Sequence, residues 1–147
     1  MSSTAVVDKL VVRRMIAAPA NEVFDAWLDP KALAIWMRPA QATHTVAAVD
    51  ARVGGRFEIV MHVPGQSVPH RGVYEAVDRP RRLVFTWNSP YAGDDDSRVT
   101  VDFLRRAEGT EVVVTHEKLP TEVAAGQHRE GWTDILGSLQ AYVARAS

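Results

Sequence analysis

The sequence TEVAAGQHREGWTDILGSLQAYVARA, residues 121–146, decides how the rest of the chain folds. At about 100° per residue its apolar side chains fall on one stripe, roughly 100° wide, and Arg129, Asp134 and Gln140 lie outside it. The stripe contains His128, Trp132, Ile135, Leu136, Leu139 and Val143. The segment is predicted to be a long amphipathic helix, although Gly126 leaves open a start nearer Gln127.

The segments before this helix alternate apolar and polar residues with a period of two, which is typical of strands with one buried face. Val99, Val101 and Phe103, for example, alternate with Thr100 and Asp102. Seven strands are predicted, at residues 8–17, 43–49, 56–63, 69–78, 83–87, 98–105 and 110–117. Because a sheet with one apolar face and a helix with one apolar stripe must bury each other, the pattern indicates an α+β fold.

Two short helices are predicted between the first and second strands. Residues 19–27 carry apolar side chains at helical spacing after a proline that suits a first turn. Asp29 is a suitable cap for a second helix, which Pro30 begins and Pro39 ends.

The first strand carries Arg13 and Arg14, so neither of its faces is cleanly apolar. Charges of this kind protect an edge strand from pairing with other chains, and we therefore predict that this strand lies at an edge of the sheet. A homodimer formed along that edge is the alternative.

Composition argues against several classes of function. The 147 residues suit one domain, expected at residues 8–146 after a flexible segment of residues 1–7. The formal charge is −1 and the longest basic run is Arg79-Pro80-Arg81-Arg82, so nucleic-acid binding is not expected. No stretch reaches the roughly 18 apolar residues of a membrane span, and no targeting segment is recognised, so we expect a cytoplasmic protein without membrane insertion.

No metal site is predicted either. The chain has no cysteine, and its five histidines are scattered without the spacing of a zinc site. Three adjacent acids, Asp94, Asp95 and Asp96, do not all point one way, and we interpret them as an exposed loop tip.

Several motifs together resemble the homologues of the heat-shock-protein-90 ATPase activator, in the START-like superfamily that also holds polyketide cyclases and lipid-transfer domains. They span about residues 10 to 145 in the family's order: Ala18-Pro19-x-x-x-Val23-Phe24-x-Ala26-Trp27-x-Asp29-Pro30, Trp36-x-x-Pro39, Asp50-x-Arg52-Val53-Gly54-Gly55-x-Phe57, Gly72-x-Tyr74-Glu75, Leu83-Val84-Phe85-Thr86-Trp87 and Gly131-Trp132-x-x-x-Leu136-x-x-Leu139-x-x-Tyr142.

The resemblance implies a helix-grip fold, in which a curved seven-stranded antiparallel sheet wraps around the C-terminal helix and leaves a hydrophobic cavity between them. The activator that names the family is larger and has an additional N-terminal domain. Because this chain lacks that part, we do not expect it to activate a chaperone.

Ten residues are candidates for the wall or mouth of such a cavity: Trp36, Phe57, Ile59, Met61, Tyr74, Phe85, Trp87, His128, Trp132 and Leu136. Trp132 either lines the cavity, beside a Gly131 that permits close backbone approach, or simply packs in the core. Trp36 and Trp87 end their elements, where a cavity mouth or a sealed rim is expected. Strand alternation places Tyr74 with His70, Gly72 and Ala76, on a face that we predict to be near the cavity.

His128 interrupts the apolar stripe, so it is either a general base or ligand contact, or a solvent-exposed residue near the helix start. Since His116 and Glu117 end the last strand on opposite faces, only one of them points inward. A His128–Glu117 pair is conceivable, but no spacing supports it, and no catalytic residue is assigned.

Three functions are compatible with these observations. The first is binding of a small hydrophobic or aromatic molecule, without a cofactor. The second is an enzyme of the cyclase or dehydratase type, and the third a chaperone-related interaction module.

Overall fold

The computed structural model describes residues 7–39, 42–90 and 96–146. Its elements follow in the predicted order, which is confirmed. They are β1 (Val7–Ile16), α1 (Ala20–Ala26), α2 (Pro30–Trp36), β2 (His44–Val49), β3 (Arg56–Val63), β4 (Gln66–Asp78), β5 (Arg82–Trp87), β6 (Ser97–Arg106), β7 (Gly109–Leu119) and α3 (Glu122–Ala146). Except for Val7, the segment expected to be flexible lies outside the described residues, as do Asp94 and Asp95.

The seven strands form one curved antiparallel sheet in the order β1-β7-β6-β5-β4-β3-β2. The predicted edge position of β1 is confirmed, and Arg13 and Arg14 are exposed on it. The strand nevertheless contributes Leu10, Val12 and Ile16 to the core. Arg13 lies on the face opposite these buried residues, whereas Arg14 shares their face by strand alternation and is nevertheless exposed. The mixed sequence pattern reflects this edge position.

The two short helices close one end of the sheet. Asp29 caps α2 as predicted, because its carboxylate accepts a hydrogen bond from the backbone N–H of Lys31 at 3.0 Å. Pro19 precedes α1 in an extended conformation rather than forming part of its first turn. The indole Nε1–H of Trp36 donates to the carbonyl of Ala26 at 3.0 Å, which joins α2 to the end of α1.

Helix α3 lies across the concave face of the sheet and runs unbroken through Gly126. The predicted apolar stripe is confirmed, since Trp132, Leu136 and Leu139 are all buried. His128 is half-buried, so the stripe begins to emerge near the start of the helix.

The middle of the core is a group of aromatic rings between α3 and the short helices. The ring centroid of Trp27 lies 4.9 Å from that of Trp36, 6.1 Å from that of Trp132 and 6.2 Å from that of Phe103. Buried aromatic pairs at these separations contribute about 0.5–1.5 kcal/mol each beyond area burial. The cluster therefore holds α1, α2 and α3 together against the sheet.

One irregularity in β4 changes which side chains face the core. The pairing of β4 with β5 shifts between Tyr74 and Ala76, as in a β-bulge. Strand alternation predicts Ala76 on the face of Tyr74 and Val77 on the opposite face, but Val77 packs against the core instead. The prediction is wrong after Tyr74 because a bulge inserts one residue and inverts the alternation beyond it.

Candidate functional site

A half-open groove of about 510 Å³ lies between the first half of α3 and strands β3 to β5. Its apolar wall contains Met61, Val68, Trp87, Trp132 and Ile135. Ligand pockets in proteins commonly have volumes of about 300–1,000 Å³. The groove is therefore large enough to enclose most of a small organic molecule.

Beyond this groove, the concave side of the sheet is closely packed. A void of only about 10 Å³ lies deeper in the core, near the short helices. It is lined by residues that include Phe57, Ile59, Tyr74 and Phe85. A cavity of this volume holds at most about one water molecule, so a ligand has access to the groove and not to the deep core.

The ten residues predicted for a cavity divide into three sets. Met61, Trp87, His128 and Trp132 line the groove. Phe57, Ile59, Tyr74 and Phe85 line the small void, and Trp87 contacts both spaces.

Trp36 and Leu136 line neither space, and both are fully buried. Of the two alternatives for Trp36, a cavity mouth or a contact that seals the core, the structure agrees with the second, because its ring packs edge-on against Trp27. Gly131 differs from expectation. A Cβ built there meets no atom within 4 Å, so open space in the groove, rather than close backbone approach, lies beside it.

A chain of buried hydrogen bonds forms the floor beneath the groove. The indole Nε1–H of Trp132 donates to Nδ1 of His116 at 3.1 Å. Nε2 of His116 lies 2.7 Å from the Ser97 hydroxyl, which itself donates to the carbonyl of Trp87 at 2.9 Å. Since a carbonyl only accepts, the Ser97 oxygen receives its bond from an Nε2–H, which fixes the tautomer of His116.

Burial and these hydrogen bonds make His116 unsuitable as a catalytic base. The side chain is fully buried, and both ring nitrogens are occupied by hydrogen bonds. Burial lowers the pKa of His116 to about 3, with a further lowering from nearby His128. His116 is therefore neutral at pH 7 and acts as a structural link between α3 and strands β5, β6 and β7.

His128 lines the groove, next to this series of hydrogen bonds. Its Nδ1 is 2.7 Å from the carbonyl of Ala124, so Nδ1 carries a proton and Nε2 is left as a hydrogen-bond acceptor in the neutral ring. The ring stands edge-to-face against His116, with centroids 4.9 Å apart. Burial lowers the pKa of His128, and the bond to Ala124 opposes that shift.

His70 lines the other side of the groove, on β4. Its Nδ1 lies 3.2 Å from the carbonyl of Ile59, and its ring packs 5.0 Å from that of Trp87. Burial lowers the pKa of His70 to about 4, so this imidazole is also neutral at pH 7.

The conceivable pair of His128 with Glu117 is not formed. His116 is the member of the adjacent pair that points inward, and it is His116 that His128 contacts. Sequence reasoning missed the role of His116 and Ser97, whereas it placed His70 with Tyr74 on the face predicted to be near the cavity, and His70 lines the groove. The available signal was strand alternation, because His116 continues the buried series of Val112 and Val114 on β7.

A larger depression, of about 810 Å³, surrounds the β4–β5 turn. Most of its lining side chains are charged, and three arginines there already form ion pairs: Arg79–Asp25, Arg81–Asp78 and Arg82–Asp102. Arg106 is likewise paired, with Glu111. Because charged residues dominate its lining and most of its arginines are already paired, this depression is a poorer candidate for a hydrophobic ligand than the groove.

Within residues 7–39, 42–90 and 96–146, no three His, Asp or Glu side chains are placed to hold a metal ion. Among the helices described, none has the length and hydropathy required to cross a bilayer.

The fold, with its curved seven-stranded sheet around a long C-terminal helix and its two short helices after β1, defines a START-like protein of the helix-grip type. Residues 17–144 match the model of the family described as "Activator of Hsp90 ATPase homolog 1-like protein". The chain belongs to that family.

Solved structures agree with this assignment. The solution structure of the AHSA1-like protein from Aeromonas hydrophila is 31% identical, with a TM-score of 0.79, and the match covers 94% of this chain and 93% of that one. A Chromobacterium violaceum protein is 27% identical, with a TM-score of 0.81 and coverage of 91% and 95%. A Rhodobacter sphaeroides protein, 20% identical, shares the fold with a TM-score of 0.84 over 97% and 99% of the two chains. No curated protein sequence matches the chain significantly.

Proposed function

We propose that this protein binds a small hydrophobic or aromatic molecule in the groove between α3 and strands β3 to β5. The observation that supports the proposal is the groove itself, which has a volume of about 510 Å³ and is lined by the indoles of Trp87 and Trp132. Aromatic and apolar walls with a few polar groups are typical of small-molecule sites. The proposal includes no cofactor.

The first test is native mass spectrometry of the freshly purified protein, in which a co-purifying ligand appears as an added mass that denaturation removes. A library of apolar and aromatic compounds is then screened by tryptophan fluorescence. Quenching is expected on binding, because two of the four tryptophans line the groove.

Two variants distinguish binding in the groove from binding elsewhere on the protein. Gly131 and Gly137 both lie in α3, and a Cβ added at either meets nothing within 4 Å, but only Gly131 lines the groove. Gly131→Leu is expected to abolish binding by filling the groove, whereas Gly137→Leu retains it. Equal binding by both variants, or no ligand in either the mass spectrum or the screen, contradicts the proposal.

A second candidate function is an enzyme of the cyclase or dehydratase type. The observation in its favour is His128, which lines the groove and whose Nδ1 contact with Ala124 leaves Nε2 as the acceptor nitrogen, as suits a general base. His128→Gln is then expected to abolish turnover of a reactive aromatic polyketide without loss of folding. If the original protein converts the polyketide no faster than buffer alone does, this candidate function is rejected.

A further inference from the structure

The polar groups around the groove are mostly hydrogen-bond acceptors. Its polar lining consists of the side chains of His70, Gln127, His128, Glu130 and Asp134, together with the two indoles. Within the described part of the chain, neither lysine nor arginine lines the groove. A ligand that enters therefore meets lone pairs and negative charge in preference to donors.

The two histidines act as acceptors because of their backbone contacts. Nδ1–H of His128 donates to Ala124, and Nδ1–H of His70 donates to Ile59. A neutral imidazole has one N–H, so Nε2 of each ring carries a lone pair. Burial favours this neutral form, since it lowers the pKa of both side chains.

The indole donors are not accessible to a ligand. The Nε1–H of Trp132 is already bonded to His116 at 3.1 Å. The Nε1 of Trp87 has no partner but is completely buried, so a ligand in the groove does not reach it. This leaves the exposed amide of Gln127 as the accessible side-chain donor among the groove residues described.

Two carboxylates add negative charge at the rim. Glu130 and Asp134 are four residues apart on α3, which places them on neighbouring turns of one helix face, and both are exposed. They attract a cation and repel an anion, and the effect is modest because water screens exposed charges.

We propose, on the basis of the binding function proposed above, that the groove selects molecules whose polar group donates hydrogen bonds, an amine or a neutral hydroxyl on an apolar body, and discriminates against carboxylates and phosphates. The histidine acceptors face the hydroxyl or amine, and the rim carboxylates favour the amine further. An anionic group would leave these acceptors unpaired and meet like charge, which is the main physical basis of discrimination.

The test compares four naphthalenes that differ in one substituent: methyl, hydroxymethyl, aminomethyl and carboxylate. Affinities are measured by isothermal titration calorimetry at about pH 7.5. The aminomethyl and hydroxymethyl compounds are expected to bind more tightly than the methyl compound, and the carboxylate on the order of tenfold more weakly than the hydroxymethyl compound.

Two variants separate charge from hydrogen bonding. Glu130→Gln combined with Asp134→Asn is expected to remove most of the advantage of the amine over the alcohol, measured as the ratio of their two dissociation constants. Glu122→Gln is the matched control, because Glu122 lies in the same helix but does not line the groove. The control is expected to leave the ranking unchanged.

The outcomes distinguish this inference from the proposed function. If all four compounds bind with equal affinity, or the carboxylate binds most tightly, the selectivity is refuted while binding in the groove stands. If none of the four binds, including the methyl compound, the proposed binding function fails and the selectivity fails with it.

Discussion

Acidification is expected to destabilise this protein well above the pH at which most carboxylates are protonated. His116 and His70 are neutral and buried in the folded state, where burial lowers their pKa values from 6.5 to about 3 and about 4. In the unfolded chain both recover their ordinary pKa. At pH values between the folded-state pKa and the unfolded-state pKa, the unfolded state binds more protons than the folded state. The free energy of unfolding therefore falls as the pH falls below 6.5.

The magnitude follows from the same two pKa values. At about pH 5.5, one unit below the unfolded value, each histidine lowers the free energy of unfolding by about 1.4 kcal/mol relative to neutral pH. The two together give about 3 kcal/mol, a large part of the 5–15 kcal/mol typical of a whole domain. The shift of His128, also a lowering caused by burial, acts in the same direction.

The measurement is urea unfolding at about pH 7.5 and about pH 5.5, followed by tryptophan fluorescence, for the original protein and for His116→Gln. Glutamine offers one acceptor and one donor to Trp132 and Ser97 but does not titrate. The variant is expected to lose about 1.4 kcal/mol of the pH dependence, the share of one histidine. Because each protein is compared with itself at two pH values, any pH-independent loss of stability in the variant cancels.

Gly137→Ala, which changes no titratable group, is the control and is expected to retain the full dependence. The reasoning is refuted if His116→Gln shows the same pH dependence as the original protein. It is also refuted if the original protein is equally stable at both pH values.

Four further changes have expected outcomes, each measured by urea unfolding at neutral pH. Trp132→Phe removes the donor to His116 and leaves a buried acceptor unpaired, so a loss of about 1–3 kcal/mol is expected, and unchanged stability argues against the bond. Asp29→Ala removes the cap of α2 and costs about 1 kcal/mol, whereas no change means the cap is not stabilising. At Gly72 an added Cβ meets the carbonyl of Thr86 and the ring of Phe57, so Gly72→Ala is expected to be strongly destabilising, and a neutral effect contradicts the packing. Gly137→Ala places its methyl in open space and is expected to stabilise α3 by about 0.5–1 kcal/mol, so a loss would reveal a contact there.

The fold was predictable because its signals are local. The change from a period of two to a period of 3.6 separates the strands from α3, and Asp29 with Pro30 marks the start of α2. These patterns depend on backbone geometry that any short segment carries in its own residues. Element order and the edge position of β1 followed from them.

The site was less predictable because it depends on contacts between distant segments. Ser97 and His116 are 19 residues apart and become neighbours only through the pairing of β6 with β7. The bulge after Tyr74 inverted the alternation in β4 with no sequence signal, and Trp36 has the same local pattern whether it lies at a rim or in a sealed core. Which of the candidate residues border empty space is set by packing, which no single segment encodes.

The hydrogen bond between Trp132 and His116 also bears on how α3 is oriented. Leucine and valine contacts tolerate a small rotation of a helix about its axis, since dispersion has little directionality. An indole N–H and an imidazole lone pair meet in one rotation only, and the onward bonds through Ser97 to the carbonyl of Trp87 tie that rotation to three neighbouring strands. These hydrogen bonds thus fix the rotation of α3 about its axis. They determine which side of the helix borders the groove and keep His128, Gly131 and Ile135 turned towards it.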